Sequence, residues 1–179
     1  HQKGVDDVNE VQKQFVNAAY YDGFFQSEFF FENIKDTLRQ QLIIRKEYRE
    51  KFENKYGQLF LDNKIIAIHC RLGDYLNWGS DELGGKNLSL PKYYYINSLK
   101  KIDQIENYKI IIVTDDIERI KNKFDFIQNK IIISDEEIVD FQIMQNAHQL
   151  IVSNSSFSWW AAYLNNESAT VYAPEYWLG

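Results

Sequence analysis

Five short β-branched runs that alternate with helix-compatible stretches constrain the fold of this chain most strongly. Strands that alternate with helices pair in parallel, and continuous apolar strands are typical of a sheet that helices cover on both faces. The predicted strands lie near 65–70, 109–114, 130–133, 149–153 and 169–173. The predicted helices between them cover 91–101, 117–123, 137–146 and 157–164. The pattern therefore predicts an α/β fold with a parallel sheet flanked by helices.

The first third of the chain has a different pattern. Residues 8–60 have spaced apolar and mixed charged side chains that predict a mostly helical segment, with an aromatic interruption at 19–25 and a candidate helix C-cap at Gly57. We therefore expect a helical linker or packing segment over residues 1–60 and an α/β domain over 61–179. A length of 179 residues, 45% of them hydrophobic, suits one such domain with added helices.

The amino-acid composition limits the kinds of partner that the protein can bind and the compartment in which we expect it. The net charge of −6 argues against a broad nucleic-acid-binding surface. The single cysteine, Cys70, cannot form an internal disulfide, so a cytoplasmic location is expected. No apolar run approaches the ~18 residues that a membrane span needs. We expect no transmembrane segment, and peripheral contact with the inner face of a membrane stays open.

The sequence has no pattern typical of a metal or cofactor site. No set of histidine, cysteine and carboxylate residues has the spacing of metal ligands, and neither of the common glycine-rich phosphate loops occurs. The prediction is that the protein needs neither a metal nor a cofactor.

Polar side chains follow the first predicted strand, in the segment His69-Cys70-Arg71-Leu72-Gly73-Asp74-Tyr75. Arg71 can donate two parallel, charge-assisted hydrogen bonds to a phosphate, and Gly73 permits a close backbone approach. Asp74 can hold the loop or the guanidinium. The alternative is that Arg71 and Asp74 form only a surface ion pair, and for His69 a structural role is favoured.

An acidic pair, Asp115 and Asp116, closes the next predicted strand. A carboxylate at the carboxyl end of a strand can accept hydrogen bonds from a base or from ribose hydroxyls. It can equally cap the following helix, which is the more common role of aspartate at that position. We assign Asp115 to the base and Asp116 to the cap.

The most specific motif is Asn154-Ser155-Ser156-Phe157-Ser158-Trp159-Trp160, which joins a strand end to a helix start. The N-terminus of a helix is electropositive and has unpaired N–H groups, so it suits a phosphate. The alternative is a serine-rich turn that only caps the helix. Because the carboxyl ends of parallel strands line one crevice, the three motifs together predict an enzyme that uses a nucleotide sugar.

In these motifs the chain resembles the α-1,2-fucosyltransferases of glycosyltransferase family 11. Further matches cover 21–28, 91–94, 140–144 and 173–177. The resemblance implies a GT-B-like architecture with a Rossmann-type sheet that binds GDP-fucose. It also implies an inverting, metal-independent transfer of L-fucose to a hydroxyl of a glycan acceptor, often O2 of galactose, and a role in bacterial surface polysaccharides.

The resemblance assigns donor-binding roles to nine residues. Arg71 would bind the diphosphate, while Ser155, Ser156 and Phe157 would cradle it, and Asp115 or Asp116 would recognise guanosine. The other donor-site residues are His69, Gly73 and Asn154. The acceptor hydroxyl must lose a proton, and Asp74 is the nearby carboxylate, although orienting Arg71 is its favoured role. The predicted catalytic pair is Arg71 and Asp74.

The chain departs from the family in two ways. Leu72 stands where the family has a second arginine, so one cationic contact to the donor is absent. The acceptor-side half of the family, at the N-terminus, also has no counterpart in this sequence. Two further hypotheses therefore stay open: a GT-B transferase that uses another nucleotide sugar, and a module that binds the donor without turnover.

Overall fold

The chain divides into two compact units, residues 1–43 and 44–179. The computed structural model describes residues 13, 16, 26–166 and 169–177. In the first unit it contains two short 3-10 turns, Glu28–Phe30 and Glu32–Ile34, followed by helix α1, Lys35–Gln41. The Leu42 N–H closes this helix on Leu38 O at 2.9 Å. The helical and aromatic segments predicted over 8–25 otherwise lie outside the described residues.

The second unit begins with a continuous helical segment. Helix α2, Lys46–Phe52, passes through a π-helical turn, Glu53–Gly57, into helix α3, Gln58–Asp62. The C-cap predicted at Gly57 is wrong, because this residue has helical dihedrals and the helix continues past it. Packing explains the continuation: the Phe52 ring contacts the Phe60 ring edge-on, with centroids 5.1 Å apart, and Phe52 is buried. The domain boundary expected after residue 60, between a helical linker or packing segment and the α/β domain, stays a prediction.

A five-stranded parallel sheet forms the centre of the second unit, as the sequence predicts. Its strands are β1, Lys64–Cys70; β2, Tyr108–Thr114; β3, Lys130–Ile133; β4, Gln149–Ile151; and β5, Thr170–Tyr172. The strand order is β3-β2-β1-β4-β5. Ile68 in the middle strand pairs with Ile112 on one side and with Ile151 on the other.

Helices cover both faces of this sheet. They are α4, Lys92–Leu99; α5, Ile117–Ile120; α6, Glu137–Gln145; and α7, Ser156–Tyr163. Alternate residues of β1 enter different cores: Ile66 and Ile68 pack with Tyr95 of α4, whereas Ile65 and Ala67 pack with Met144 of α6. Two buried faces explain why β1 is an uninterrupted apolar run. Within the described ranges, no helix is long and apolar enough to cross a membrane.

The strand order places one crevice at a defined point of the sheet. The chain adds β2 and β3 on one side of β1 and then returns to place β4 on the other side. In open α/β sheets, ligands bind outside the carboxyl ends of the strands at such a reversal of direction. The residues that follow Cys70 and Ile151 therefore lie where the fold is expected to bind a ligand.

Candidate functional site

Two of the three sequence motifs meet at this reversal point, and Asp115 of the third contacts the loop after β1. The His69 Nδ1 atom lies 2.8 Å from the Ser153 hydroxyl, and the Tyr75 hydroxyl donates a hydrogen bond of 2.9 Å to Asn154 O. The His69–Ser153 contact joins the end of β1 to the residues just after β4. The Tyr75–Asn154 bond joins the loops that follow these two strands. The segment that carries Arg71 and the turn that starts α7 are therefore side by side.

His69 is the buried link between the two motifs. It is 4% exposed, and its ring centroid lies 5.7 Å from that of Phe157. Burial and the neighbouring Arg71 lower the pKa of His69 to about 3, so the imidazole is neutral near pH 7. A neutral ring that bonds to Ser153 positions the start of α7. Its contact with a donor stays a prediction.

Arg71 is the half-exposed cation of the site, and two carboxylates orient it. Its Nε lies 3.1 Å from Asp74 Oδ1 and 3.3 Å from Asp115 Oδ2, and its Nη2 lies 3.0 Å from Asp74 Oδ1. The guanidinium carbon is 5.8 Å from the centroid of the Tyr75 ring. The ion pair that competed with the phosphate hypothesis is thus present. It also fixes the guanidinium, whose side chain is 36% exposed, beside the crevice.

The acidic pair after β2 has two different roles. Asp116 is the N-cap of α5, and its Oδ1 accepts from the Arg119 N–H at 3.0 Å, which confirms the predicted cap. Asp115 reaches the loop after β1, where its Oδ1 accepts from the Leu72 N–H at 2.8 Å. Since both Asp115 oxygens already contact this loop, a base at Asp115 would have to share them. Recognition of guanosine by Asp115 stays a prediction.

Gly73 makes the Asp115 contact possible. A Cβ atom built at residue 73 overlaps Asp115 Oδ2, so any side chain here displaces the carboxylate. The structure shows a close approach of Gly73 to Asp115, and the approach of a donor to Gly73 stays a prediction.

Replacing Gly73 by alanine is expected to destabilise the protein by about 1–2 kcal/mol, because the displaced carboxylate leaves the Leu72 N–H without its acceptor. Urea denaturation measures this change. Gly57→Ala is the matched control: its Cβ would lie 3.8 Å from Glu53 in a helix, so a gain of ~0.5–1 kcal/mol is expected. Equal stability of Gly73→Ala and the natural chain would contradict the close approach.

The turn before α7 is built from buried hydrogen bonds. Ser158 Oγ lies 3.1 Å from both Ser153 O and Ser155 O, and Asn154 Nδ2 donates to Leu88 O at 3.0 Å. Ser155 occupies the N-cap position with extended backbone, but its side chain makes no capping hydrogen bond. The first-turn N–H groups of α7 have no carbonyl partner within the helix. The turn therefore keeps the electropositive end that the sequence predicts for a phosphate.

Leu72 has a place that the sequence did not reveal. It is 4% exposed and belongs to the core cluster that contains Ile68, Tyr95 and Phe124. Its side chain therefore enters the core although its neighbours Arg71 and Gly73 belong to the site. Tyr75 closes the segment that follows the first predicted strand, but no role in the site was predicted for it.

A buried carboxylate lies at the carboxyl end of β3, away from the reversal point. Both oxygens of Asp140 lie 3.1 Å from the Asp135 N–H, and Asp140 is 7% exposed. Asp135 in turn contacts Lys55 Nζ and accepts from the Tyr56 hydroxyl at 2.8 Å. Burial raises the pKa of Asp140 to about 6. The cluster joins the start of α6 to the helical segment before β1.

The raised pKa of Asp140 predicts a pH-dependent stability. The protonated carboxyl contributes stability that is complete below the unfolded pKa of 3.8 and is lost as the pH rises through about 6. Asp140→Asn removes this dependence, so its unfolding free energy relative to the natural chain should rise by about 2 kcal/mol between pH 4 and 7. Denaturation in urea across that range tests it, with the exposed Asp81→Asn as control. A flat difference would contradict the raised pKa.

The chain matches a known protein family over nearly its whole length. A model described as Glycosyl transferase family 11 matches residues 7–178. The O-antigen biosynthesis glycosyltransferase WbnK of Escherichia coli is 26% identical over 185 residues, which cover 96% of this chain and 59% of that protein. An alpha-1,2-colitosyltransferase of Escherichia coli is 30% identical over 180 residues, with coverage of 94% and 59%. This chain therefore spans 59% of the length of each relative.

Comparison with solved structures concerns the fold alone. The structure of POFUT1 in complex with GDP-fucose matches with a TM-score of 0.51 at 14% identity, and the match covers 78% of this chain and 49% of that one. With the five parallel strands and the helices on both faces, this likeness confirms the predicted GT-B-like, Rossmann-type architecture.

Proposed function

The chain belongs to glycosyl transferase family 11, and we propose that it forms the nucleotide-sugar half of an inverting transferase that moves L-fucose from GDP-fucose to a sugar hydroxyl in α-1,2 linkage. The observation that carries the proposal is that the Tyr75–Asn154 hydrogen bond joins the loop of Arg71 to the turn that starts α7, at the reversal point of the sheet. Both groups bind anions, and the donor diphosphate is the anion that such a transferase must hold.

The proposed chemistry is stabilisation of the leaving group. GDP departs as an anion, and Arg71 with the first-turn N–H groups of α7 offsets that charge. Preorganised donors of this kind contribute ~3–4 kcal/mol each to the transition state. Asp74 and Asp115 fix the guanidinium before the donor arrives, which lowers the entropy cost of binding.

Asp74 has two proposed roles that follow one another. Without donor it orients Arg71, through the contacts of 3.0 and 3.1 Å. When the diphosphate takes over the hydrogen bonds of Arg71, the Asp74 carboxylate is released beside the crevice. It is then available to accept the proton of the acceptor hydroxyl. Asp115 remains the proposed partner of guanosine, and His69, Asn154, Ser156 and Phe157 complete the proposed donor site.

Transfer is expected to proceed without a metal. Among the residues that the structure describes, no three histidine, cysteine, aspartate or glutamate side chains converge as metal ligands. We therefore expect the transfer rate of the full-length enzyme to be unchanged in EDTA, since Arg71 and α7 supply the positive charge. Loss of activity in EDTA, with recovery on adding Mn²⁺ or Mg²⁺, would contradict this mechanism.

A second candidate donor carries colitose, because one relative is an alpha-1,2-colitosyltransferase. Colitose is fucose without its 3-hydroxyl, so a site that hydrogen-bonds this hydroxyl would reject the colitosyl donor strongly. Comparison of the two GDP-sugars by calorimetry separates the candidates.

A module that binds donor without turnover is the third candidate, since the chain spans 59% of the length of its relatives. Turnover by the purified chain would exclude it.

The experiment that tests the donor class is calorimetry of the chain with GDP-fucose, GDP-mannose, a UDP-sugar and an ADP-sugar. We expect heat of binding for the GDP-sugars and none for the other two. Equal affinity for all four would contradict guanosine recognition.

We also propose that the protein works in the cytoplasm, at the inner face of the membrane, in the synthesis of a bacterial surface polysaccharide. Support comes from WbnK, which is described as an O-antigen biosynthesis glycosyltransferase.

A further inference from the structure

A second opening, of about 660 Å³, lies between helix α4 and the chain from β5 to residue 176. Its volume is typical of a small-ligand site. Two segments singled out in the sequence, 91–94 and 173–177, have no role in the crevice, and both contribute to this groove. The lining of the groove includes Tyr93, Tyr94, Asn97, Lys101, Tyr172, Glu175 and Tyr176.

The lining of the groove combines exposed aromatic rings with short polar groups. Tyr93 and Tyr176 are 67% and 68% exposed, so their rings are available to a ligand. Asn97 provides an amide donor and acceptor, and Glu175 provides carboxylate acceptors. The weakly positive C–H face of a pyranose packs on the negative face of an aromatic ring, and its hydroxyls match amides and carboxylates.

The charge in the groove favours a neutral ligand. Lys101 and Glu175 are its charged lining residues within the described part of the chain, one of each sign. A diphosphate is bound best by the paired N–H groups of a guanidinium, as proposed for Arg71 in the crevice, and the described lining of the groove has no arginine. The groove therefore differs in chemistry from the proposed donor site.

Tyr94 connects the groove to that site. Its hydroxyl lies 2.7 Å from Val152 O and 3.0 Å from Tyr172 O, and it donates to this pair of carbonyls. Burial raises the pKa of Tyr94, so the hydroxyl keeps the proton that it donates. Val152 is two residues before Asn154, in the segment between β4 and α7. A hydrogen bond from Tyr94 therefore ties the groove wall to the backbone that leads into the proposed phosphate turn.

We propose that this groove binds a neutral hexose unit of the glycan acceptor. The inference rests on the proposed transferase function and adds to it an acceptor subsite within the donor-binding half. Tyr93 and Tyr176 are the stacking platforms, and Asn97 with Glu175 bonds the sugar hydroxyls.

The test uses the whole chain with lactose, a neutral β-galactoside, as the probe in saturation-transfer NMR. Lactose should receive saturation from the natural chain, and the double variant Tyr93→Ala/Tyr176→Ala should reduce this transfer by at least about fivefold, because two ring contacts are lost. Both side chains are exposed, so the fold is kept. Phe126→Ala, which removes a 38% exposed ring outside the groove, should leave the transfer unchanged.

Calorimetry of GDP on the same samples separates this inference from the donor proposal. The groove variant should keep the GDP affinity of the natural chain. If lactose receives no saturation from the natural chain, or equal saturation from the double variant, the groove does not bind the sugar. The donor proposal would still stand if the same samples bind GDP. Self-association that the double substitution abolishes, without any response to lactose, would identify a protein-docking surface instead. If the natural chain binds lactose through the two tyrosines but does not bind GDP, the groove proposal stands and the donor-binding proposal is contradicted.

Discussion

Arg71→Ala is expected to lower the affinity of the chain for GDP by about 3 kcal/mol, or roughly 100-fold, in calorimetry. The substitution removes two charge-assisted hydrogen bonds, each of which contributes ~1.5–3 kcal/mol. It also leaves the carboxylates of Asp74 and Asp115 beside the diphosphate without the cation that now contacts both. Repulsion between these carboxylates and the phosphates adds to the loss.

Two variants show whether the geometry of Arg71 matters. Arg71→Lys should recover little of the affinity, because an ammonium cannot make the parallel pair of bonds that a guanidinium makes. Arg49→Ala removes an exposed arginine from α2 and should leave the affinity unchanged. Unchanged affinity in both Arg71 variants would reject the phosphate role and leave Arg71 as part of an ion pair only.

Leu72→Arg, which introduces the second arginine of the resembled motif, is expected to destabilise the protein by about 4 kcal/mol or more. The side chain enters the core beside Ile68 and Tyr95 and is 4% exposed. Replacing it removes a buried apolar group and places an unpaired charge in the core. Urea denaturation measures the loss.

Matched substitutions separate the two causes. Leu72→Met keeps the volume and should lower the unfolding free energy by less than ~1.5 kcal/mol, whereas Leu72→Ala should lower it by ~2–5 kcal/mol without adding a charge. A Leu72→Arg variant that is as stable as the natural chain and binds GDP more tightly would contradict the buried position of residue 72. The family arginine would then reach the donor from residue 72.

The secondary structure could be predicted because its signal is local. The run of isoleucines from Ile65 to Ile68 predicts a strand buried on both faces, and the structure has it in β1. Helices α4, α5 and α6 are shorter than the predicted stretches, and α7 begins one residue earlier than predicted. Asp116 as a cap was also within reach, since an N-cap depends on the few residues after it. Gly57 shows the limit: its propensity favours a helix end, and the packing of Phe60 on Phe52 overrides it.

The sequence by itself determined which chemical groups follow each strand and that the strands are parallel. Only the tertiary structure decided which strand ends are neighbours, because the order β3-β2-β1-β4-β5 results from long-range pairing that no local pattern encodes. That order brings Tyr75 to Asn154 and His69 to Ser153, residues 79 and 84 positions apart. It also decided that Leu72 turns into the core and that Asp115 contacts the loop of Arg71, since both depend on how β1 and β2 pack side by side.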